Sequence, residues 1–354
     1  MPSPGSNFLP EACCSSPSPS EASNPSPNDH RFMQLKEALG FSRYSSEWQL
    51  GIDDVWRDDI AHHAGLSHNK DALGKQHLKI LDEKSQHSQV WREWTDQGSS
   101  GLLVMAGYHR DPKASRPSCW LSPLAAGIFP HYIEGRSFSP FECSLRTSVF
   151  AYSTIGLQAS DRGNMSLVGS FAHVLIRLIE QNWHLLEYKE DEEDEDEGLE
   201  RQQAYGRVLK DIQEFSTAVK ENDVKSDESW PKMLEAMMGI FREICLFKED
   251  DHEEQDKPLS EEKITWIVLD RLDKELDPDT RMRALKLLAD LVKYVGANVR
   301  VKIMVVVNGH KWETLEDDVA ELSKDDGKNV FFCQWREGLE PGEKWRDEEA
   351  VEME

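Results

Sequence analysis

The chain has 354 residues, enough for one large α/β domain with appendages. Its 66 acidic residues outnumber its 41 basic residues, and the net charge of −25 argues against a surface that neutralises the phosphates of DNA or RNA. The sequence has no apolar run long enough to span a membrane, no signal peptide and no zinc or disulfide spacing among its cysteines. We therefore expect an intracellular, soluble, cytoplasmic protein that does not bind nucleic acid and does not insert into a membrane.

Two segments precede the part of the chain that reads as a folded domain. Residues 1–30 are rich in proline and serine, and they cannot bury enough apolar surface to offset the entropy of ordering, so we predict a disordered tail. Residues 31–90 place apolar residues three and four apart, which indicates a helical adaptor. We assign residues 91–340 to an α/β domain and residues 341–354 to an acidic tail.

Five short apolar runs separated by helical segments define the predicted domain. They lie at residues 102–106, 148–153, 264–270, 301–307 and 329–335. Continuous apolar strands that alternate with helices are typical of a parallel sheet covered on both faces, so we predict a five-stranded, mainly parallel sheet in three layers.

The segments between the strands carry clear helix signals and two acidic interruptions. The segment 277–296 opens with a capping Asp277 and Pro278, and it links two strand runs directly. Acidic runs near residues 188–198 and 248–260 are predicted to be disordered loops that bracket two helices, because blocks of like charge repel one another. They are either solvated loops or a surface for a basic partner protein.

The stretch "GLLVMAGYHRDPKAS" contains the spacing of a phosphate-binding loop, G-x-x-x-x-G-K-[ST]. The apolar run ends at Gly107, and Lys113 follows six residues later. Pro112 stands where the second glycine belongs, and it has no backbone N–H to offer a phosphate, a loss that costs about 1.5–3 kcal/mol. Ala114 replaces the magnesium-binding hydroxyl, and Ser115 brings a hydroxyl one residue late. Lys113 is either a phosphate ligand or an ordinary surface lysine.

The stretch "WIVLDRLDKE" ends a predicted buried strand with a carboxylate. Asp270 at the carboxyl end of that strand is placed to hold magnesium, and Asp273 is placed to polarise an attacking water. Each residue also has a simpler interpretation. Asp270 would cap the region after its strand, and Asp273 would be a solvated loop residue.

Taken in this order, the segments resemble the NACHT-type P-loop domains of fungal STAND NTPases, relatives of the NOD-like receptors and of AAA+ ATPases. The resemblance spans about residues 91–335 and implies a P-loop NTPase-like fold that binds ATP or GTP with Mg²⁺. Gly107 and Lys113 match the phosphate loop, while Asp270 and Asp273 match the magnesium and water-orienting carboxylates. It also implies that the lysine loop lies beside the Asp270 strand, with both facing one crevice.

Further departures from the family pattern lie downstream of the loop. Lys274 stands where the family has an acidic residue, Asn308 replaces its serine, and Gly309 replaces the sensor arginine. We therefore expect a degenerate nucleotide-binding regulator or assembly factor that binds ATP or GTP weakly and hydrolyses it slowly or not at all. The alternative is a non-catalytic protein-interaction scaffold that keeps the fold without a functional nucleotide site.

Overall fold

The computed structural model describes residues 26–40, 86–96, 99–108, 121, 149–155, 166–188, 195–221, 227–245, 264–295, 299–326 and 329–336. Helices and strands alternate in these ranges, which confirms the α/β class. The helices are α1 (Pro27–Ala38), α2 (Gln86–Asp96), α3 (Leu167–Gln181), α4 (Glu195–Glu221), α5 (Ser229–Ile244), α6 (Pro278–Tyr294) and α7 (Leu315–Asp326). The strands are β1 (Gly101–Tyr108), β2 (Val149–Thr154), β3 (Thr265–Asp270), β4 (Val301–Asn308) and β5 (Val330–Arg336).

The strands form one sheet in the spatial order β2-β3-β4-β1-β5, and every neighbouring pair is parallel. The three interior strands β3, β4 and β1 are buried almost throughout, because both of their faces lie inside the protein. Burial on both faces explains why these segments read as continuous apolar runs rather than as alternating ones.

The strand order reverses direction at β1. The chain leaves β1 for the edge strand β2, returns through β3 and β4, and then passes β1 to reach β5 on the other side. In open α/β sheets such a topological switch point creates a crevice at the carboxyl ends of the strands. Strand β4 lies between β1 and β3, so the strand that leads into the predicted phosphate loop and the Asp270 strand are not direct neighbours, and the loop itself lies outside the described residues.

One face of the sheet carries most of the core. Helix α3 packs on β2, α6 packs on β1 and β4, and α7 packs on β5. The strand side chains on this face are alternate residues such as Val104, Ile267 and Val305, which are fully or nearly fully buried in one apolar cluster. Each such side chain contributes about 1.5–3 kcal/mol by leaving water.

Helix α2 covers the opposite face of the sheet. The ring centroid of Trp94 lies 5.4 Å from that of Trp266 on β3, and its indole Nε1 donates to the carbonyl oxygen of Gly101 at 3.1 Å. The buried ammonium of Lys302 on β4 donates to the carbonyl oxygen of Trp94 at 2.5 Å. Helices therefore lie on both faces of the sheet.

Helix α1 begins at Pro27, inside the segment that was predicted to be disordered. Ser26 and Asp29 form a reciprocal capping box at its start. The helix also packs against later parts of the chain, since Phe32 meets Trp183 edge to face at 5.1 Å. Local capping and this long-range packing supply the order that composition did not indicate.

Helices α4 and α5 form an antiparallel pair that packs beside α6 and α3. Helix α4 begins at Glu195, so it includes the end of the acidic run predicted to be disordered near residues 188–198. Acidic residues at a helix N-terminus interact favourably with the helix dipole, which permits this start. None of the described helices combines the length and hydropathy needed to cross a bilayer. The acidic segments at 248–260 and 341–354 lie outside the described residues.

Candidate functional site

The candidate site lies at the carboxyl edge of the sheet, where β1, β3 and β4 end. Gly107 on β1 pairs with Asn308 on β4 and with Trp335 on β5. Asp270 ends β3 and pairs with Val306, two residues before Asn308. Two strand spacings separate β1 from β3, and Gly107 lies two residues further along its strand than the level of Asp270, so the two residues are about 12 Å apart.

Asp270 is a fully buried carboxylate, with 0% of its surface exposed. It lies on the same face of β3 as Trp266 and Val268, the face covered by α2, because side chains alternate along a strand. An aspartate oxygen at this edge is the ligand type that Mg²⁺ prefers, and such sites combine one or two carboxylates with phosphates and waters. Asp270 therefore fits the role of a single protein ligand, and that role stays a prediction.

Asp273 is buried and bonded within the protein rather than solvated. Its Oδ1 accepts from Arg271 Nε at 3.1 Å, and its Oδ2 accepts from Arg271 Nη2 at 3.0 Å. The backbone N–H of Asn308 also donates to Oδ1 at 2.9 Å. The two charged side chains are 4% and 1% exposed. Asp273 thus ties the loop after β3 to the end of β4, and its predicted role in orienting water would require it to leave this pair.

Arg271 has a left-handed backbone, with φ +68°, and it is the only residue other than glycine with a positive φ in the described part of the chain. A large side chain in this region is strained, and such strain often marks a functional or tightly constrained position. The backbone N–H of Arg271 donates to the carbonyl of Val306 at 2.8 Å. This bond and the ion pair with Asp273 together hold the residue in its strained conformation.

Tyr108, the last residue of β1, occupies the space beside Gly309. A Cβ built on Gly309 would lie 2.3 Å from Cζ of the Tyr108 ring, so glycine is required there while the ring stays in place. The ring also meets His310 edge to face, with centroids 5.2 Å apart. At the position where the family resemblance places a sensor arginine, the chain therefore packs an aromatic ring against a backbone.

The two residues predicted to complete the phosphate loop, Lys113 and Ser115, lie outside the described residues, as does Pro112. Gly107 lies in β1, at its predicted place at the end of the strand. The structure thus brings Gly107, Asp270 and Asp273 to one edge of the sheet. No group of three or more His, Cys, Asp or Glu side chains is arranged to hold a metal ion among the residues described.

A set of basic residues lies at the same edge, and the sequence pattern does not mark them as binding candidates. Arg271 and Lys274 follow β3, Lys311 follows β4, and Arg281 lies in α6. The Arg281 guanidinium donates to the carbonyl of Lys311 at 2.9 Å and lies over the Trp312 ring, 4.9 Å from its centroid. Lys311 is 30 residues from Arg281 in the chain, so only the strand order reveals that it meets the other three residues.

Comparison of the chain with protein-family models, with curated proteins and with solved structures found no match.

Proposed function

We propose that this protein binds a nucleoside triphosphate, ATP or GTP with Mg²⁺, at the carboxyl edge of its sheet and acts as a degenerate STAND-type regulator or assembly factor. The fold on which this rests is a P-loop NTPase-like domain related to NACHT domains. In this proposal Gly107 and Lys113 contact the phosphates, Ser115 is the nearest hydroxyl, and Asp270 ligates the metal.

The strand order is the observation that carries the proposal. The reversal at β1 puts Gly107, the first residue of the loop motif, at the topological switch point where α/β sheets bind their ligands. The carboxylate of Asp270 ends a strand at the same edge, separated from β1 only by β4. A chance match to the loop motif would have no reason to fall at this point of the sheet.

The geometry around Asp273 favours weak or absent hydrolysis. The carboxylate proposed to orient water is held by Arg271 and by the backbone of Asn308. Asp273→Asn should therefore reduce any hydrolysis no more than it reduces folded protein. Asp270 alone among the described carboxylates keeps the role that the resemblance implies.

Nucleotide binding to the full chain tests the proposal. Titration with fluorescent ATP and GTP analogues, with and without Mg²⁺, should show saturable binding that magnesium strengthens. Lys113→Ala should abolish most of this binding, and Asp270→Asn should remove the effect of magnesium. Lys324→Ala is the control, because Lys324 is exposed in the last turn of α7, about 15 Å along that helix from the site. If the Lys113→Ala and Asp270→Asn variants bind nucleotide with the same affinity as the wild type, the proposal is overturned.

The second candidate is a protein-interaction scaffold without a nucleotide site. It is favoured by the Tyr108 ring against Gly309, which fills space at the entrance to the loop. In that case Tyr108→Ala would leave nucleotide binding absent, and the protein would show no response to millimolar ATP or GTP. Binding that depends on Lys113 would rule this candidate out.

A further inference from the structure

Four basic residues, Arg271, Lys274, Arg281 and Lys311, form a group at the carboxyl edge that we name the cationic edge. They come from three places in the chain: the loop after β3, helix α6 and the turn after β4. Hydrogen bonds join these segments, since Arg281 donates to the carbonyl of Lys311 and Arg271 donates to the carbonyl of Val306. Arg271 is paired with Asp273, so Lys274, Arg281 and Lys311 are the members of the group that form no ion pair with a described residue.

The charges of Arg271 and Lys311 both act on the Lys274 ammonium. Partial burial is the main cause that lowers the pKa of its ammonium, and the charges of Arg271 and Lys311 lower it further. Asp273 is the one nearby charge that raises it. Positive charges that lie close together repel one another, and an anion that binds between them relieves this repulsion and is bound more tightly.

Arg281 adds a buried positive charge that forms no ion pair with a carboxylate among the described residues. The residue is 9% exposed, and within the described ranges its guanidinium makes no ion pair. Its Nε is buried without a hydrogen-bond partner. The carbonyl of Lys311 and the ring of Trp312 stabilise the guanidinium, and its charge, which no described carboxylate neutralises, favours an anion at this edge.

Three neighbouring carboxylates accept hydrogen bonds from backbone and side-chain donors of the same segments. Glu275 accepts from the N–H of Asp277 at 3.2 Å, and Asp277 caps α6 by accepting from Thr280 N at 3.2 Å and from Thr280 Oγ1 at 2.5 Å. Asp318 accepts from the indole Nε1 of Trp312 at 2.7 Å. These acids stabilise the loops and the helix that present the cationic edge.

We propose that Lys274 and Lys311 bind the terminal phosphates of the nucleoside triphosphate. The cationic edge would then supply the positive charge that a sensor arginine would provide at position 309, where this chain has a glycine. This inference rests on the proposed nucleotide site, to which it adds a contact on the β3 and β4 side of the crevice. Both lysines are exposed and able to reach a ligand, while Arg281 contributes charge from beneath. The cationic edge then selects ligands by their number of phosphates rather than by their base.

Calorimetric titration of the full chain with ATP, AMP and inorganic tripolyphosphate tests this inference. The variant Lys274→Gln/Lys311→Gln should bind ATP and tripolyphosphate about tenfold more weakly, because two exposed and solvent-screened charged contacts are lost. Its affinity for tripolyphosphate should also depend less on salt, while any affinity for AMP stays unchanged. Lys324→Gln is the matched control, since it removes one exposed lysine outside the cationic edge and should bind as the wild type does.

The outcomes separate this inference from the proposed function. ATP affinity that is equal in the wild type and in the double variant would overturn the inference and leave the nucleotide site in place. Tripolyphosphate binding that depends on the two lysines, with Lys113→Ala without effect and no added affinity for ATP, would support the cationic edge and refute the nucleotide site. Absence of binding to all three ligands would refute both. Both lysines are exposed, so thermal unfolding of the double variant should match the wild type.

Discussion

Asp273 accepts three hydrogen bonds inside the protein, two from Arg271 and one from the backbone of Asn308. At the scale of single residues this is the strongest polar arrangement at the candidate site. Removing one partner of a buried ion pair destabilises the folded protein, because the other charge stays buried without a counter-charge. Stability at this edge of the sheet therefore depends on both residues together.

Asp273→Asn should destabilise the protein by about 3 kcal/mol, because it leaves the Arg271 guanidinium buried without its carboxylate. The measurement is the free energy of unfolding in urea. Arg271→Met/Asp273→Leu removes both charges and should recover part of that loss. An Asp273→Asn protein as stable as the wild type would show that the ion pair is not a structural element.

Gly309→Ala should destabilise the protein by about 1–3 kcal/mol, because the added methyl group overlaps the Tyr108 ring. Tyr108→Ala in the same chain removes the overlap, so the two substitutions should not add. A double-mutant cycle measured by thermal unfolding checks this coupling. Strictly additive losses would show that the ring moves aside without cost.

At the scale of elements, β2 and α3 are joined by a buried polar contact. Nδ1 of His173 on α3 lies 3.3 Å from Oγ of Ser153 on β2. Burial, together with the charge of Arg177, lowers the pKa of His173 to about 4. The neutral imidazole is therefore the form that the folded protein accommodates.

Protonation of His173 should destabilise the protein in acid. Above its ordinary pKa of about 6.5 the imidazole is neutral in both states, so stability is complete there. Between pH 6.5 and about 4, His173 binds a proton in the unfolded chain but stays neutral in the folded protein. The unfolding free energy therefore decreases by up to about 1.36 kcal/mol for each unit by which the pH falls. His173→Gln should flatten this dependence in urea unfolding, and exposed His184→Gln should keep it. Identical slopes in all three proteins would contradict the contact.

The contact between helices α4 and α5 contains a carboxyl group whose pKa is raised, whereas the pKa of His173 is lowered. Asp211 on α4 packs against Gly239 on α5, where a Cβ would lie 2.2 Å from its Oδ2. Burial raises the pKa of Asp211 to about 6, with repulsion from Glu214, Glu235 and Glu243 adding to the shift and Lys210 opposing it. The folded protein therefore favours the protonated carboxyl group.

Asp211→Asn should stabilise the protein above pH 6, because the amide imitates the protonated form that the helix contact prefers. As pH falls below about 6 the folded wild type binds a proton before the unfolded chain does, so the advantage of the variant should shrink and disappear near pH 4. Melting temperatures of both proteins across this range check the prediction. A variant less stable than the wild type at neutral pH would refute it.

At the scale of the whole molecule, the sequence predicted the elements well because their signals are local. The apolar runs at residues 264–270 and 301–307 became β3 and β4, since interior strands must be apolar on both faces. Asp277 and Pro278 mark the start of α6 for equally local reasons. The start of α1 was missed because a capping box and packing against later parts of the chain order it, and the start of α4 because acidic residues suit a helix N-terminus.

The site was predicted less completely, because it depends on which strands are neighbours. The sequence pointed to Gly107 and Asp270, which both lie at the carboxyl edge. It could not place β4 between them, and it gave no sign that Lys274 and Lys311 meet. An arginine two residues before an aspartate, directly after a buried strand, was the available signal for the Arg271–Asp273 pair. Recognising that pair required the left-handed backbone at Arg271.

Hydrogen–deuterium exchange of the full chain, with and without millimolar ATP and Mg²⁺, tests the central claim most directly because it locates the ligand. We expect slower exchange in the peptides that contain the carboxyl ends of β1, β3 and β4 and the turns after them, around Gly107, Asp270 and Lys311. We expect no change in α4 and α5. Unchanged exchange at the carboxyl edge, or protection confined to other parts of the chain, would contradict the claim that this edge binds nucleotide.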